Sequence, residues 1–394
     1  MTDWPVKTLG DVARIEMGRT PSRREPGGWD KDLKTSNLWA TIADLTACDS
    51  RVLSKTKERI SDAAAHVTKV VPAGTLMMSF KLSIGKLAFA GCDLYTNEAI
   101  AAFHLPDDSA INVEFLYWSL VVTDWAALTL GSEKVKGATM TKAKLYLVEI
   151  PVPPLEEQKR IVALLDAATA SITELTACYE QARTHADNLF TSALRDALEG
   201  NPDWPVKTLG EVCSIDSLLV DPRESRYSDL FHVGAGNIES VSGRLLNVQT
   251  AAEEGLISGK FLFSSEDVLY SKIRPYLKKV ATPEFSGLCS ADVYPLRPGT
   301  TIRRMFLFHI LNSENFTQYA IAGSSRTGMP KVNRDHLFKY EFEVPAVSIQ
   351  DEIVARLDSI RAKTSEMVAA YDAKLTAAKN LRQSILESAF AGEL

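Results

Sequence analysis

The phrase Asp3-Trp4-Pro5-Val6-Lys7-Thr8-Leu9-Gly10 returns letter for letter as Asp203-Trp204-Pro205-Val206-Lys207-Thr208-Leu209-Gly210, and Asp11-Val12 is answered by Glu211-Val212. A phrase stated twice at such a distance means two related units in one chain. A second set of matches closes each half: Val152-Pro153 with Val344-Pro345, Gln158 with Gln350, and Ile161-Val162-Ala163 with Ile353-Val354-Ala355. It runs on through Asp166 and Asp358, Tyr179 and Tyr371, and Asn188-Leu189 and Asn380-Leu381. Each half is thus a globular segment with a long tail. The boundaries fall at 1–153, 154–200, 201–345 and 346–394.

The tails read as helices. In the first, Ile161, Leu165, Ala168, Ile172, Leu175, Tyr179, Ala182, Ala186, Leu189 and Ala193 keep a 4-3 spacing, and neither Pro nor Gly interrupts Leu155 to Glu199. In the second, Ile353, Leu357, Ile360, Met367, Tyr371, Ala378, Leu381 and Ile385 hold the same register, with Thr364 and Lys374 as polar intrusions. Two matching seams predict one antiparallel coiled coil, a rod of about 60 Å for ~40 residues. Pro151-Val152-Pro153-Pro154 stops the strand before the first helix, and Gly200-Asn201-Pro202 ends that helix. Ala391-Gly392-Glu393-Leu394 is the equivalent stop. A pseudo-twofold relation of the halves would bring Leu394 near Met1, as in an opened ring.

The globular segments mix short β-like runs, such as 74–80 and 267–272, with helical stretches at 113–128 and 302–312, so an α+β fold is expected. With 394 residues, 45% of them hydrophobic and a net charge of −6, the chain has the apolar material for folded cores. The acidic balance excludes a protein coated in bases for unspecific nucleic-acid binding; DNA contact would have to come from local patches. No run approaches the ~18 apolar residues of a membrane span, and the first residues resemble no signal segment, so a cytoplasmic protein without a membrane is expected. Five scattered cysteines without a C-x-x-C spacing suggest neither disulfides nor zinc.

Catalytic signatures are missing. There is no phosphate-binding G-x-x-x-x-G-K-[ST], no H-E-x-x-H, no G-x-S-x-G and no completed dinucleotide fingerprint. The six histidines lack ligand spacing, so no metal is expected. Asn201-Pro202-Asp203-Trp204 only faintly resembles a base-flipping loop, and Glu157-Gln158-Lys159 lacks the acidic partner a nuclease motif needs. No catalytic residue is expected.

Positive charge clusters instead. Tyr270-Ser271-Lys272-Ile273-Arg274-Pro275-Tyr276-Leu277-Lys278-Lys279 interleaves bases with tyrosines, and Ser79-Phe80-Lys81-Leu82-Ser83-Ile84-Gly85-Lys86 answers it in the first half. Cations, hydroxyls and a turn suit phosphate contacts together with base-edge hydrogen bonds. Arg19, Arg23, Arg24 and Lys142, and Ser325, Arg326, Lys331 and Asn333, lie in further loops of the same chemistry. The candidate DNA-binding set is therefore Arg19, Arg23, Arg24, Lys81, Ser83, Lys86, Lys142, Lys272, Arg274, Tyr276, Lys278, Ser325, Arg326, Lys331 and Asn333. The tails carry Glu156, Glu157, Asp166, Glu174 and Glu180 and look like protein-facing surfaces.

Taken in order, these phrases resemble the DNA specificity subunit of type I restriction-modification systems. Trp4 to Val12 and Trp204 to Val212 are similar to the family's opening phrase, and Pro153-Pro154-Leu155-Glu156-Glu157-Gln158 to its closing one. Gly74 to Lys86 and Asp267 to Val280 resemble its inner Ser-x-Lys segments. The second closure, Val344-Pro345-Ala346-Val347-Ser348-Ile349-Gln350, departs by lacking the second Pro and the Glu before Gln.

The resemblance implies a non-catalytic reader of double-stranded DNA. Each target-recognition domain would bind half of an asymmetric bipartite site, and the helices would set the gap. Methyltransferase subunits, usually two, would dock through Pro154, Leu155, Glu157, Gln158 and Gln350 and carry the S-adenosylmethionine; this chain would hold no cofactor. Nuclease-translocase subunits would join for restriction. The rival readings are a self-sufficient methyltransferase or nuclease, which needs the missing motifs, and a coiled-coil adaptor without DNA specificity.

Overall fold

The computed structural model describes all residues except 1–3, 25–26, 131–132, 135–136, 199–202 and 325–329, and leaves aside the side chains of 133–134 and 137–139. The chain divides into two compact units, residues 1–178 with 375–394, and residues 179–374. This division cuts across the sequence repeat: each unit takes a globular segment, the near half of its own long helix and the far half of the other.

The twice-written phrase closes each globular segment on itself. Val6–Thr8 pairs antiparallel with Glu149–Pro151, and Val206–Thr208 with Glu341–Glu343. Thr8 then caps a single helical turn, Leu9–Val12: its hydroxyl accepts the Asp11 N–H while the Asp11 carboxylate accepts the Thr8 N–H at 2.9 Å. Thr208 and Glu211 form the same box. Leu9 and Leu209 are wholly buried, and Gly10 and Gly210 lie against Tyr146 and Phe338, where a β carbon would come within 2.6 and 3.1 Å. The capping and packing tasks fall on Thr8, Leu9, Gly10, Asp11 and Val12 and on their counterparts, whereas Val6 and Val206 are exposed on the paired strands.

In the first unit a five-stranded sheet runs in the order Arg14–Met17, Ile100–His104, Leu76–Ser79, Leu87–Ala90, Val52–Leu53. In the second, Cys213–Ser214, Val293–Pro298, Val268–Ser271 and Val280–Ala281 follow the same order. A helix covers each sheet: Val113–Val122, with Phe115, Leu116 and Trp118 at or near zero exposure, and Arg304–Asn312, with Phe306, Leu307 and Phe308 buried. The expected 113–128 helix breaks at Thr123-Asp124, because Asp124 caps a separate turn, Trp125–Thr129. The α+β expectation holds.

The long helices are Leu155–Leu198 and Val347–Ala391. In the first unit, Ile161, Leu165, Leu386, Ala389 and the partly buried Trp4 join one core, and the Phe390 ring lies 5.3 Å from Phe115. In the second, Phe190, Leu194 and Leu357 form a seam, the Tyr179 and Tyr371 rings lie 6.2 Å apart, and Arg183 Nε donates to Asp372 at 2.7 Å. Within each unit the helices are antiparallel neighbours.

The expected seam needs correction near the ends. Leu189 and Leu381 are 52% and 51% exposed, while Phe190 and Leu194 are buried. There the helix turns its 186-190-194 stripe toward the globular core, and a 4-4 stripe replaces the 4-3 seam. The first long helix also carries an 18-residue window of mean hydropathy 1.5, apolar enough by length and composition to cross a membrane. Along it, however, Asp166 accepts Arg51 Nη1–H at 2.6 Å and the Trp118 indole N–H at 3.0 Å, tying the helix to protein. Met1 lies outside the described residues; Arg160 donates to the backbone carbonyl of Leu394.

Candidate nucleic-acid interface

Each central sheet projects a finger, residues 80–86 in the first unit and 272–279 in the second. Both start from a buried serine. The Ser79 hydroxyl donates to the Ser83 carbonyl and accepts the Lys86 N–H at 3.0 Å; Ser271 N–H donates to Lys279 C=O at 3.0 Å, and its hydroxyl to Ile273 C=O at 3.3 Å. A second segment lies alongside each finger. Lys81–Leu82 pairs with Ala138–Thr139, and Ile273 bridges to Lys331.

In the first unit the finger forms a wall of an open cleft of about 630 Å³. Lys81 and Lys142 line it, with Arg14 and Lys69, neither singled out by the sequence, and with the carboxylates Glu16 and Glu98. Arg14 and Lys69 both pair with Glu16, at 2.8 and 3.0 Å. The Thr20 hydroxyl donates to Glu98 and holds that carboxyl below its ordinary value despite partial burial. Thr141 caps the helix Lys142–Tyr146, setting Lys142 5.3 Å from the Tyr146 ring. Four cations around two carboxylates make a cleft suited to a polyanion.

The second unit builds the corresponding place differently. Lys272 is 11% exposed, its ammonium 4.8 Å from the Tyr294 ring and 3.9 Å from Asp292, which also binds Lys331 at 3.1 Å. Burial, and then Lys331, push the Lys272 ammonium below its usual range. Asn333 caps the helix Arg334–Phe338 by accepting the His336 N–H, as Thr141 caps its counterpart. Arg334 stacks on Phe338 at 5.2 Å. Asp292, Tyr294 and Arg334 complete this cluster.

Other expected contacts are occupied internally. Arg23 makes a bidentate pair with Glu58 at 2.6 and 2.8 Å and covers the Trp29 ring at 3.7 Å, so its charge is neutralised. Lys278 pairs with Glu314 at 2.7 Å. Arg19, Arg24, Ser83, Lys86, Arg274 and Tyr276 are exposed. Ser325 and Arg326 lie outside the described residues.

The expected partner-binding set splits. Pro154 and Leu155 are exposed, and Glu157 pairs with Arg160 at 2.7 Å. Gln158 and Gln350 have no exposure and so cannot touch a partner subunit. Gln158 spends its amide on Asn112 N–H, Ala110 C=O and Pro153 C=O; Gln350 repeats this with Arg303 N–H, Thr301 C=O and Pro345 C=O. The second closure keeps this latch although it lacks the Pro and Glu around it.

The fold and the repeated sequence both recur in known proteins. The model of the type I restriction modification DNA specificity domain matches residues 1–182 and again 201–377. The EcoDI type I restriction enzyme specificity subunit of Escherichia coli is 28% identical, covering 100% of this chain and 89% of that one. The EcoprrI specificity subunit, also of E. coli, is 23% identical over 94% of this chain and 91% of its own. Among solved structures, a chain from a study of complex assembly and conformational transition in a type I R-M system aligns with a TM-score of 0.76 at 21% identity, covering 99% and 98% of the two chains. The HsdS subunit of Thermoanaerobacter tengcongensis aligns at 0.61, with 21% identity and 99% and 97% coverage. These two likenesses show the fold. With nearly all of both halves matched to the family model, the chain belongs to the type I restriction-modification DNA specificity family.

Proposed function

We propose that this chain is the sequence-specific DNA recognition subunit of a type I restriction-modification complex, each recognition domain reading one half of an asymmetric bipartite site in the major groove of double-stranded DNA. The observation that carries this reading is the pair of fingers: equivalent in fold, different in side chains. Equivalent scaffolds give both domains one way to approach a duplex, and unlike side chains let them read unlike words. The long helices set the gap between the words. Two methyltransferase subunits dock on the domains and helices and supply S-adenosylmethionine, and nuclease-translocase subunits join them for restriction in the cytoplasm. The chain itself performs no chemistry.

The test is to co-express the chain with its methyltransferase partner in an unmethylated host and map modified adenines across the genome. A gapped two-part motif is the expected result. If the assembled complex neither modifies nor selects any motif from random duplex DNA, the recognition role is wrong.

A further inference from the structure

Both fingers pass through a left-handed residue at the same place. The third residue after the buried serine is Leu82, with φ of 63°, in one and Arg274, with φ of 49°, in the other. The hydrogen-bond register makes them equivalent. Met140 N–H donates to Phe80 C=O at 3.1 Å, as Val332 N–H does to Lys272 C=O at 2.8 Å; Leu82 then faces Ala138, and Arg274 N–H donates to Pro330 C=O at 3.0 Å.

Left-handed backbone is unfavourable for any residue with a β carbon, and glycine would relieve it. Leu82 is also 49% exposed, so an apolar side chain is held in water on strained backbone. Arg274 is exposed as well, and its guanidinium has no partner among the described residues. Its neighbours differ: Lys272 and Lys278 face carboxylates, and Lys279 donates to the Ala235 carbonyl. The buried Pro275 and a 3-10 turn follow Arg274 and fix its direction. Gly85, with φ of 83°, and Lys278, with φ of 46°, form a second matching left-handed pair, but glycine is unstrained there and Lys278 is held by Glu314. Among the described residues, only at 82 and 274 do both units carry an exposed side chain on left-handed backbone, a strain that points to presentation of that side chain.

We propose that this left-handed tip is the base-reading position of each recognition domain: Arg274 forks onto the N7 and O6 edge of a guanine in one half-site, and Leu82 packs on a thymine methyl group in the other. The assignment rests on the DNA-reading function proposed above. A free guanidinium matches the two acceptors of guanine, and an exposed aliphatic group finds its best groove contact at the thymine methyl.

The test uses the whole assembly, this chain with its methyltransferase partner, selecting from randomised duplex DNA. Arg274→Leu should relax one G·C position of one half-site by about 5- to 150-fold and leave the other positions and the gap unchanged. Arg274→Lys should relax the same position while keeping the salt dependence, because lysine retains the charge without the fork. Arg274→Gly should relax it too, and raise thermal stability by relieving the backbone. Leu82→Arg should convert one A·T preference of the other half-site to G·C. Weakening spread equally over all sequences, with the log-log salt slope reduced by about one, would make Arg274 a phosphate contact and overturn the assignment. A motif untouched by Arg274→Leu overturns it as well. A wild-type assembly that selects no motif overturns the recognition function and the tip assignment with it.

Discussion

The side-chain carbonyl of Gln158 accepts the backbone N–H of Asn112 at 2.7 Å, fastening the first turn of a long helix to the cap of the helix over the sheet. Gln350 accepts the N–H of Arg303 at 2.8 Å in the same way. Leucine at either position strands one N–H and two carbonyls in a buried site. Gln158→Leu or Gln350→Leu should each cost about 1–3 kcal/mol or more in urea unfolding. Because the two share no partner, the double variant should show the sum. Hydrogen exchange should place each loss in its own unit.

Arg51 fastens the first long helix about two turns further on. Its guanidinium lies 2.6 Å from Asp166, 4.4 Å from the Trp118 ring centre and 4.7 Å from that of Tyr117. Both ionic partners are partly exposed, so the coupling in a double-mutant cycle of Arg51→Ala with Asp166→Asn should be about 1 kcal/mol. Arg51→Lys should recover little of it, since the stacked planar group is lost.

In the second unit the corresponding helix-to-helix place is taken by His309, with neither ring nitrogen hydrogen-bonded. Burial, and then Arg361, push its pKa down to about 4, against an ordinary 6.5; Asp358 lies 4.0 Å away. The folded state therefore keeps a neutral ring where the unfolded chain takes up a proton. The stability from the neutral ring is complete above pH 6.5 and is lost as pH falls toward 4. At 1.36 kcal/mol per pH unit this amounts to roughly 3 kcal/mol. Urea titrations at pH 7 and 4.5 should show His309→Gln losing less stability on acidification than the wild type.

Asp292 sits between Lys272 and Lys331 and opposes the approach of phosphate. Asp292→Asn should tighten binding to unrelated duplex DNA and steepen its log-log salt dependence by up to about one, while lowering the ratio of specific to unspecific affinity. Anisotropy titrations of the assembled complex at several salt concentrations would measure both. Unchanged unspecific affinity would separate Asp292 from the DNA-facing surface.

Removing one heptad from each long helix shortens the pair by about 10 Å, close to three base pairs. The preferred gap should shrink by about that amount while both half-site words persist. Genome-wide methylation mapping of the variant reads both quantities at once. Altered words with an unchanged gap would defeat the ruler.

The repeated frame was legible because its residues act locally: Thr8 caps, Gly10 admits Tyr146, and Leu9 fills a core within a few residues of each other. The fingers were legible as basic segments flanked by serine. The full cleft was not, because Arg14 comes from a strand, Lys69 from a loop, Lys81 from a finger and Lys142 from a helix, and only the tertiary fold brings them together. Nor does a leucine at position 82 announce a positive φ. Gln158 and Gln350 stand as partner contacts through the resemblance of the closing phrase, and nothing in the sequence announces the three buried hydrogen bonds that each makes. The seam drifted for a similar reason: heptad spacing assumes one neighbour, and the helix ends have two.

The division into units also governs the order in which the protein can be built. Residues 179–374 form one uninterrupted stretch, whereas the other unit combines 1–178 with 375–394. During synthesis the second unit has all its residues while the first still lacks Leu386, Ala389 and Phe390, which complete its core. The earlier unit's apolar seat for the returning helix thus stays open until the whole of the later unit has been synthesised.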